Sequence, residues 1–422
     1  MLLIKNGHII SPQNNLDTIC DILIENGRIT EMNENISANC EIIDAEGKVV
    51  LPGFIDMHVH LRDPGFTHKE DILSGCEAAA AGGVTAVACM PNTDPAVDTP
   101  ETVRYILDKA KKAKARVYPV ACITKGMNGG ALTDMKALRE AGAVAVSDDG
   151  RPVKNAKTMM EGMKLAKKNR LLPISHCEDL DIIDGGIIHK GKVSKELGVK
   201  GMNRASEDSI TAREISLAEA ENVPIHIAHV STKGSVSIIR DAKRRGVKVT
   251  CETCPHYFVY DHTELYKKDA DYRMNPPLRE PDDLKEVMEG IVDGTIDCIV
   301  TDHAPHAAEE KADFEKAPNG VVGLETSFAA CCTYLLHTGK IGLPRLVELM
   351  SVNPAKLLGI PGGKVEIDGI ADLVIADLDK EWTVEPEKLH SKSKNSVFKG
   401  ATLKGKVLCT VCNGQITYRK GI

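Results

Sequence analysis

"GFIDMHVHLRDPG", residues 53–65, is the stretch on which the reading of this chain turns. It opens as an apolar run and then sets His58, His60 and Arg62 on alternate positions. In a β-strand, residues two apart face the same way, so these three line one side near the strand's end. Two neutral imidazoles converging on one point suit a metal, and a cation just beyond them suits an anionic ligand. A lone HxH also fits packing or surface, so its meaning depends on the other strands.

Short β-branched runs of the same kind recur from about residue 51 to 363: "VTAVACMPN", "RVYPVACIT", "AVAVSDDG", "LLPISHCED", "VPIHIAHVS", "VKVTCETCPHY" and "IDCIVTDHAPH". Between them lie stretches of helical length and spacing, such as "KEDILSGCEAAAAGG", "TMMEGMKLAKKN" and "SVSIIRDAKRRG". Eight strand–helix alternations predict an α/β fold, a (β/α)8 TIM-like barrel of parallel strands. The first fifty residues ("LLIKNGHII", "DILIENGRITEM") and the last stretch ("ADLVIADL", "KGKVLCTVCNGQITY") are instead β-rich with hairpin signals. Residues 1–50 and 364–422 are therefore expected to form one small β-sandwich domain from both termini, flanking the barrel at 51–363.

Bulk properties narrow the class. The 422 residues are 42% hydrophobic and 27% charged, ordinary for a soluble enzyme with one large barrel and an accessory domain. A formal net charge of −7 argues against a general nucleic-acid binder. The N-terminus "MLLIKNGHIISPQNN" is too short in apolar residues for a signal peptide, and no stretch reads as a membrane span. Thirteen cysteines without a secretion signal read as reduced thiols of a cytoplasmic protein. The CxxC pairs Cys251/Cys254 and Cys409/Cys412 read as buried small apolar residues rather than a zinc site.

Most of the barrel runs begin apolar and finish on groups able to bind a metal or polar ligand: HVH, MPN, SDD, SHCE, AHVS and TDHAPH. Active sites of such barrels sit at the carboxyl ends of the strands. That collects His58 and His60 (strand one), Asp148 or Asp149 (strand four), His176 (strand five), His229 (strand six) and Asp302 (strand eight) as candidate ligands. Six nitrogen and oxygen donors exceed what one open catalytic zinc takes. Two ions roughly 3.5–4 Å apart, sharing a carboxylate and a hydroxide, accommodate them. Only one of Asp148 and Asp149 can face the barrel mouth, and spacing alone does not choose between them.

The motifs "DMHVHLRDPG", "MPNT", "DDG", "SHCED", "AHVST", "MNPPLR" and "TDHAPH", in this order, resemble the bacterial class I dihydroorotases of the amidohydrolase superfamily. The resemblance covers nearly the whole chain. It implies that His58, His60, Asp302 and Asp149 bind one zinc, and that Asp149 bridges to a second held by His176 and His229. Relatives often use a carbamylated lysine as the bridge, but "SDDG" has none and Lys154 lies past the strand end. Asp148 is then a turn residue or a partner of the bridge. The implied reaction is zinc-dependent, reversible cyclisation of N-carbamoyl-L-aspartate to (S)-dihydroorotate with loss of water, with Asp302 as catalytic base and acid. Arg62 would pair with the substrate carboxylate, and Asn92, Asn275 and His306 would contact substrate. The long segment 306–320 reads as a lid whose end, Asn319 and Gly320, reaches the ring. A homodimer and an association with aspartate transcarbamoylase are further implications.

The alternatives are another cyclic-amide hydrolase (dihydropyrimidinase or allantoinase) and a noncatalytic partner of aspartate transcarbamoylase. A missing bridging lysine, "MNPPLR" and Arg62 weigh against the first, and the complete ligand set against the second. Of the remaining histidines, His8, His68, His189, His262, His337 and His390 read as surface or packing residues. His226, three before His229, is expected to point away from the metal side, and His256 is unassigned.

Overall fold

The computed structural model describes residues 1–422. Its central sheet has eight parallel strands in sequence order: Phe54–Val59, Val84–Cys89, Arg116–Ala121, Ala145–Val146, Leu172–Ser175, Ile225–Ile227, Val249–Thr253 and Cys298–Ile299, called strands one to eight below. A parallel bridge between Val59 and His303, with the His60 N–H donating to the His303 carbonyl at 2.8 Å, brings strand eight back to strand one. That bridge closes the sheet into a cylinder. All six residues of strand one are buried.

The helical stretches read from the sequence form Ile72–Ala81, Ala156–Lys168 and Lys233–Arg244. Each starts on a side chain that accepts from the first turn: Asp71, Asn155 and Thr232. Strands four and eight have only two residues each, shorter than their apolar runs imply. Their chains leave the ladder early, and the residues that follow turn into the barrel mouth.

Both termini build one sheet. Its spatial order runs Gln415–Arg419, Thr402–Cys412, Leu373–Thr383, Val49–Pro52, Leu2–Ser11, Leu16–Glu25 and Arg28–Asn33, with Glu41–Asp44 beside Leu2–Ser11. The antiparallel pairing of Val49–Pro52 with Leu373–Thr383 joins the two chain ends. Ile4, Ile22, Ile43, Leu373 and Val411 form part of its separate core. Buried Asp372 pairs with Arg116 of strand three, and the Phe54 and Phe328 rings, stacked at 5.0 Å, share one continuous core with Val374 of the terminal sheet. All thirteen cysteines are unpaired and eleven are buried, as small apolar residues would be. No helix is long and apolar enough to cross a membrane.

Phe54 therefore fastens the first barrel strand to the layer around it. Phe54→Ala is expected to lower stability by about 3–5 kcal/mol, read as a shifted urea midpoint. A loss under about 1 kcal/mol would show that this joint does not carry the contact.

Candidate metal centre and active site

The six side chains that the sequence singles out as metal-binding meet at the carboxyl ends of the barrel strands around one carboxylate. Asp149, just past strand four, lies within reach of four imidazoles. Its Oδ1 is 3.4 Å from His58 Nε2, 3.3 Å from His176 Nδ1 and 3.6 Å from His229 Nε2; its Oδ2 is 3.5 Å from His60 Nε2. Asp302 Oδ1 lies 3.0 Å from His60 Nε2 and 3.6 Å from His58 Nε2. These donors make two overlapping groups, His58–His60–Asp149 and Asp149–His176–His229, each with its atoms within 4.8 Å of one another. His58 Nε2 and Asp149 Oδ1 are buried with no hydrogen-bond partner. Buried polar atoms are seldom left so; inward-facing nitrogen and oxygen lone pairs fit divalent ions of the zinc type. Asp148 points the other way, accepting from the Ile123 and Thr124 amides at 2.8 and 3.1 Å and from the Thr124 hydroxyl.

Unusual backbone aims these groups. Arg62, His229 and Asp302 have φ of 60°, 32° and 47°, in the left-handed region that bulky residues rarely adopt. The chain bends sharply where each strand ends, which turns the side chain over the mouth.

Carboxylates and an amide fix the imidazoles from behind. His58 Nδ1 is 2.5 Å from Glu252 Oε1, and the other Glu252 oxygen is 3.1 Å from His226 Nε2. His60 Nδ1 is 2.8 Å from Asn92 Oδ1, and His176 Nε2 is 3.1 Å from Glu178 Oε2. Each acceptor holds a ring proton on the outer nitrogen, so the inner one is the nitrogen that faces the centre. Burial works against a charged His58, but Glu252 and Asp149 outweigh it and hold its pKa well above the usual imidazole value. The same balance pushes His176 up to about 10, chiefly through Asp149 and Glu178. Burial likewise opposes the Asp149 charge, yet His58, with His176 and His229 close by, holds its pKa well below the usual range. Asp56 ties strand one to strand eight by accepting from the His58 amide at 3.1 Å and the Thr301 hydroxyl at 2.6 Å. Buried Glu207 accepts from the Ser231 and Thr232 amides at 3.0 and 3.1 Å, just beyond His229, and pairs with Arg279 of "MNPPLR" at 3.1 Å.

A cavity of about 200 Å³ opens over this centre. Arg62, Asn92, Asn275, His306, Asn319 and Gly320 line it together with Asp149 and Asp302, and Ala304 is its one apolar side chain. Arg62 Nε donates to the Pro305 carbonyl at 3.2 Å, and Nη2 lies 3.3 Å from His306 Nε2. Burial lowers the Arg62 pKa to about 10, which leaves it a cation at neutral pH. His306 is set between the Lys69 ammonium, 3.3 Å from Nδ1, and the Asn319 carbonyl, 2.9 Å from Nε2. Burial, Arg62 and Lys69 push its pKa down to about 3, so it is a neutral ring; the shorter Nε2 contact to the Asn319 carbonyl and the ammonium at Nδ1 favour the proton on Nε2 over the longer Arg62 contact. Asn275 Nδ2 donates to Glu178 at 3.0 Å. Gly320 has φ 140°, and a Cβ there would lie 2.6 Å from the Ala304 carbonyl, so only glycine fits this wall.

A sequence model described as dihydro-orotase-like matches residues 47–235. The chain is 51% identical over 421 residues to the dihydroorotase of Trichlorobacter lovleyi, covering 99% of each protein. It is 50% identical over 424 residues to that of Acetivibrio thermocellus, covering all of both. The chain belongs to the dihydroorotase family. Among solved structures it resembles the L-hydantoinase (dihydropyrimidinase) from Arthrobacter aurescens, with a TM-score of 0.89, 26% identity and 100% and 96% of the two chains covered. The D-hydantoinase (dihydropyrimidinase) from Thermus sp. matches with a TM-score of 0.84, 27% identity and the same coverage.

Within this dihydroorotase-family chain, Glu252, Glu207, Asp56 and Glu178 are the site residues that sequence reasoning passes over. Glu178 carried a signal, since it stands two beyond His176 in "SHCED", as did Asp56, two before His58 in "DMHVH"; Glu252 and Glu207 come from segments with no local link to the residue they hold. His226 corrects an expectation: it faces into the barrel and is fully buried, one carboxylate removed from His58. Parity along the strand fails because strand six ends at Ile227 and His229 adopts its bent backbone. His189 and His262 are buried, and with Glu280 make a third histidine–carboxylate group. Arg279 Nη1, only able to donate, lies 3.3 Å from His189 Nδ1, which places the His189 proton on the nitrogen facing that group. This third group is thus not arranged to hold a metal. His256, just past strand seven, is buried with its Nε2 unpartnered.

Glu252→Gln removes the charge behind His58 while keeping the side chain's shape. It is expected to weaken metal affinity about tenfold or more, measured by competition against a chromogenic chelator. Unchanged affinity would refute the role of Glu252.

Proposed function

We propose that this chain catalyses the reversible cyclisation of N-carbamoyl-L-aspartate to (S)-dihydroorotate with loss of water, the third step of de novo pyrimidine (UMP) biosynthesis. The observation that carries this reading is the pairing of a carboxylate-centred histidine cluster with a cationic wall, Arg62 beside His306, across one small polar cavity. Full-length relatives at about half identity that are named dihydroorotase support it. We further assign the chain to the class I type within the amidohydrolase superfamily, with domains at 1–50, 51–363 and 364–422. Unpaired cysteines throughout support a reducing compartment, the cytoplasm.

His58, His60 and Asp302 would hold one zinc and His176 and His229 a second, with Asp149 common to both. Bound divalent ions supply Lewis acidity: they acidify water to a pKa of about 7 and polarise the amide carbonyl. The remaining work falls to side chains. Asp302 takes the proton of the attacking water and delivers it to the departing ring nitrogen; in ring closure it takes the proton of the ureido nitrogen. Burial opposes its charge, but the His60 hydrogen bond and nearby His58 hold its pKa below the usual range, so it starts as a base. Arg62 pairs with the substrate carboxylate through charge-assisted bonds. His306 would face the substrate as a neutral ring beside Arg62, and Asn92 and Asn275, already oriented by His60 and Glu178, would turn their remaining polar groups to the ring.

The hydantoinase-like reading draws on the solved structures. Against it stands the centre itself: Asp149 occupies the shared position, while Lys154 is exposed and pairs with Asp181 at 3.0 Å. Turnover of dihydroorotate against dihydrouracil and allantoin tests the choice, and preference for either of the latter would overturn it. Asp302→Ala is expected to cut dihydroorotate hydrolysis by about a thousandfold or more with the fold intact; substantial residual activity would contradict the proton-transfer role. Arg62→Met is expected to lower kcat/KM about 10- to 100-fold, and an unchanged value would refute carboxylate recognition by Arg62.

A further inference from the structure

The segment 306–320 reads from its sequence as a mobile lid, yet it carries an internal charged fastening. Lys311 turns inward, and its Nζ donates to three main-chain carbonyls: Pro318 at 3.0 Å, Gly320 at 3.0 Å and Arg273 at 3.3 Å. No carboxylate lies within ion-pair distance. Burying an ammonium this way is costly, and burial pulls its pKa down to about 7 against the attraction of Asp271. A methionine would fill the space without that cost, so the placement is explained by the carbonyls it gathers rather than by packing.

Those carbonyls sit at the cavity wall. The Gly320 carbonyl that takes Lys311 also accepts from Asn395 Nδ2 at 3.0 Å, and the Asn395 side-chain oxygen accepts from the His306 amide at 3.2 Å. The Gly320 N–H donates to the Arg273 carbonyl at 3.0 Å, and Arg273 Nη2 donates to Asn319 Oδ1 at 3.2 Å. The Asn319 carbonyl in turn faces His306. Lys311 is the one group that joins the beginning of the 318–320 turn, its end and the neighbouring 273 strand-end loop.

We propose that Lys311 is a positioning residue for substrate binding: by gathering the carbonyls of Arg273, Pro318 and Gly320 it sets the 318–320 backbone and His306 in place before substrate arrives. The assignment rests on the reading of the cavity under Proposed function. A preset wall spares the substrate the cost of ordering the loop, so loss of Lys311 falls on binding. Lys311→Met is expected to raise KM for dihydroorotate at least tenfold while kcat stays within threefold, with metal content and thermal midpoint unchanged. A KM within twofold of wild type, or a fall in kcat alone, would overturn the proposal.

Hydrogen exchange reads the same device without the reaction. In the ligand-free wild-type protein the amides of 319–321 should exchange slowly, and Lys311→Met should release them. Free exchange in the wild type would overturn the proposal even if the variant failed to fold. If slow wild-type exchange accompanied no turnover of dihydroorotate, the assigned reaction would fall and the role of Lys311 in fixing the loop would stand.

Discussion

The structure depends on one buried carboxylate surrounded by imidazoles. Asp149 brings the ends of strands one, four, five and six to a common point, and Asp302 adds strand eight. A buried carboxylate needs compensating charge, and inward-facing imidazole nitrogens offer it either as imidazolium or as ligands to a shared cation. The proton placement chosen by Glu252, Asn92 and Glu178 favours ligands, since each of these acceptors holds a ring proton on the side away from the centre. The second layer is therefore as much a part of the centre as the groups that face it.

Polarity is divided across the cavity. On one side are carboxylates and histidines suited to a divalent ion; on the other, Arg62 and the neutral His306 form a wall suited to an anion, within a chain whose net charge is −7. Lys69 takes part by fixing the His306 tautomer, and Lys311 by fixing the backbone that His306 rests on. Under the proposed reading, Arg62 gives a substrate carboxylate a cationic partner away from the metal side, which would orient the substrate before any bond changes.

The barrel was legible because parallel strands are apolar on both faces, and because polar residues gathered where each run ended. His58, His60 and Arg62 followed from alternation along one strand. The family resemblance chose Asp149 over Asp148, which alternation could not do; the Thr124 contacts of Asp148 depend on a strand distant in sequence. Glu252 and Glu207 were hidden for the same reason, each supporting a residue that only the closed cylinder brings near. His226 misled because parity holds only while the chain stays extended, and at His229 it does not. His189 and His262 gave no periodic signal, since they are buried under loop structure between strands five and eight.

Under the proposed function, two ions share Asp149. Crystals grown with zinc and measured at the zinc absorption edge test it most directly. Two anomalous peaks about 3.5–4 Å apart are expected on either side of the Asp149 carboxylate. A single peak, or zinc bound at His189 and His262 instead, would contradict it.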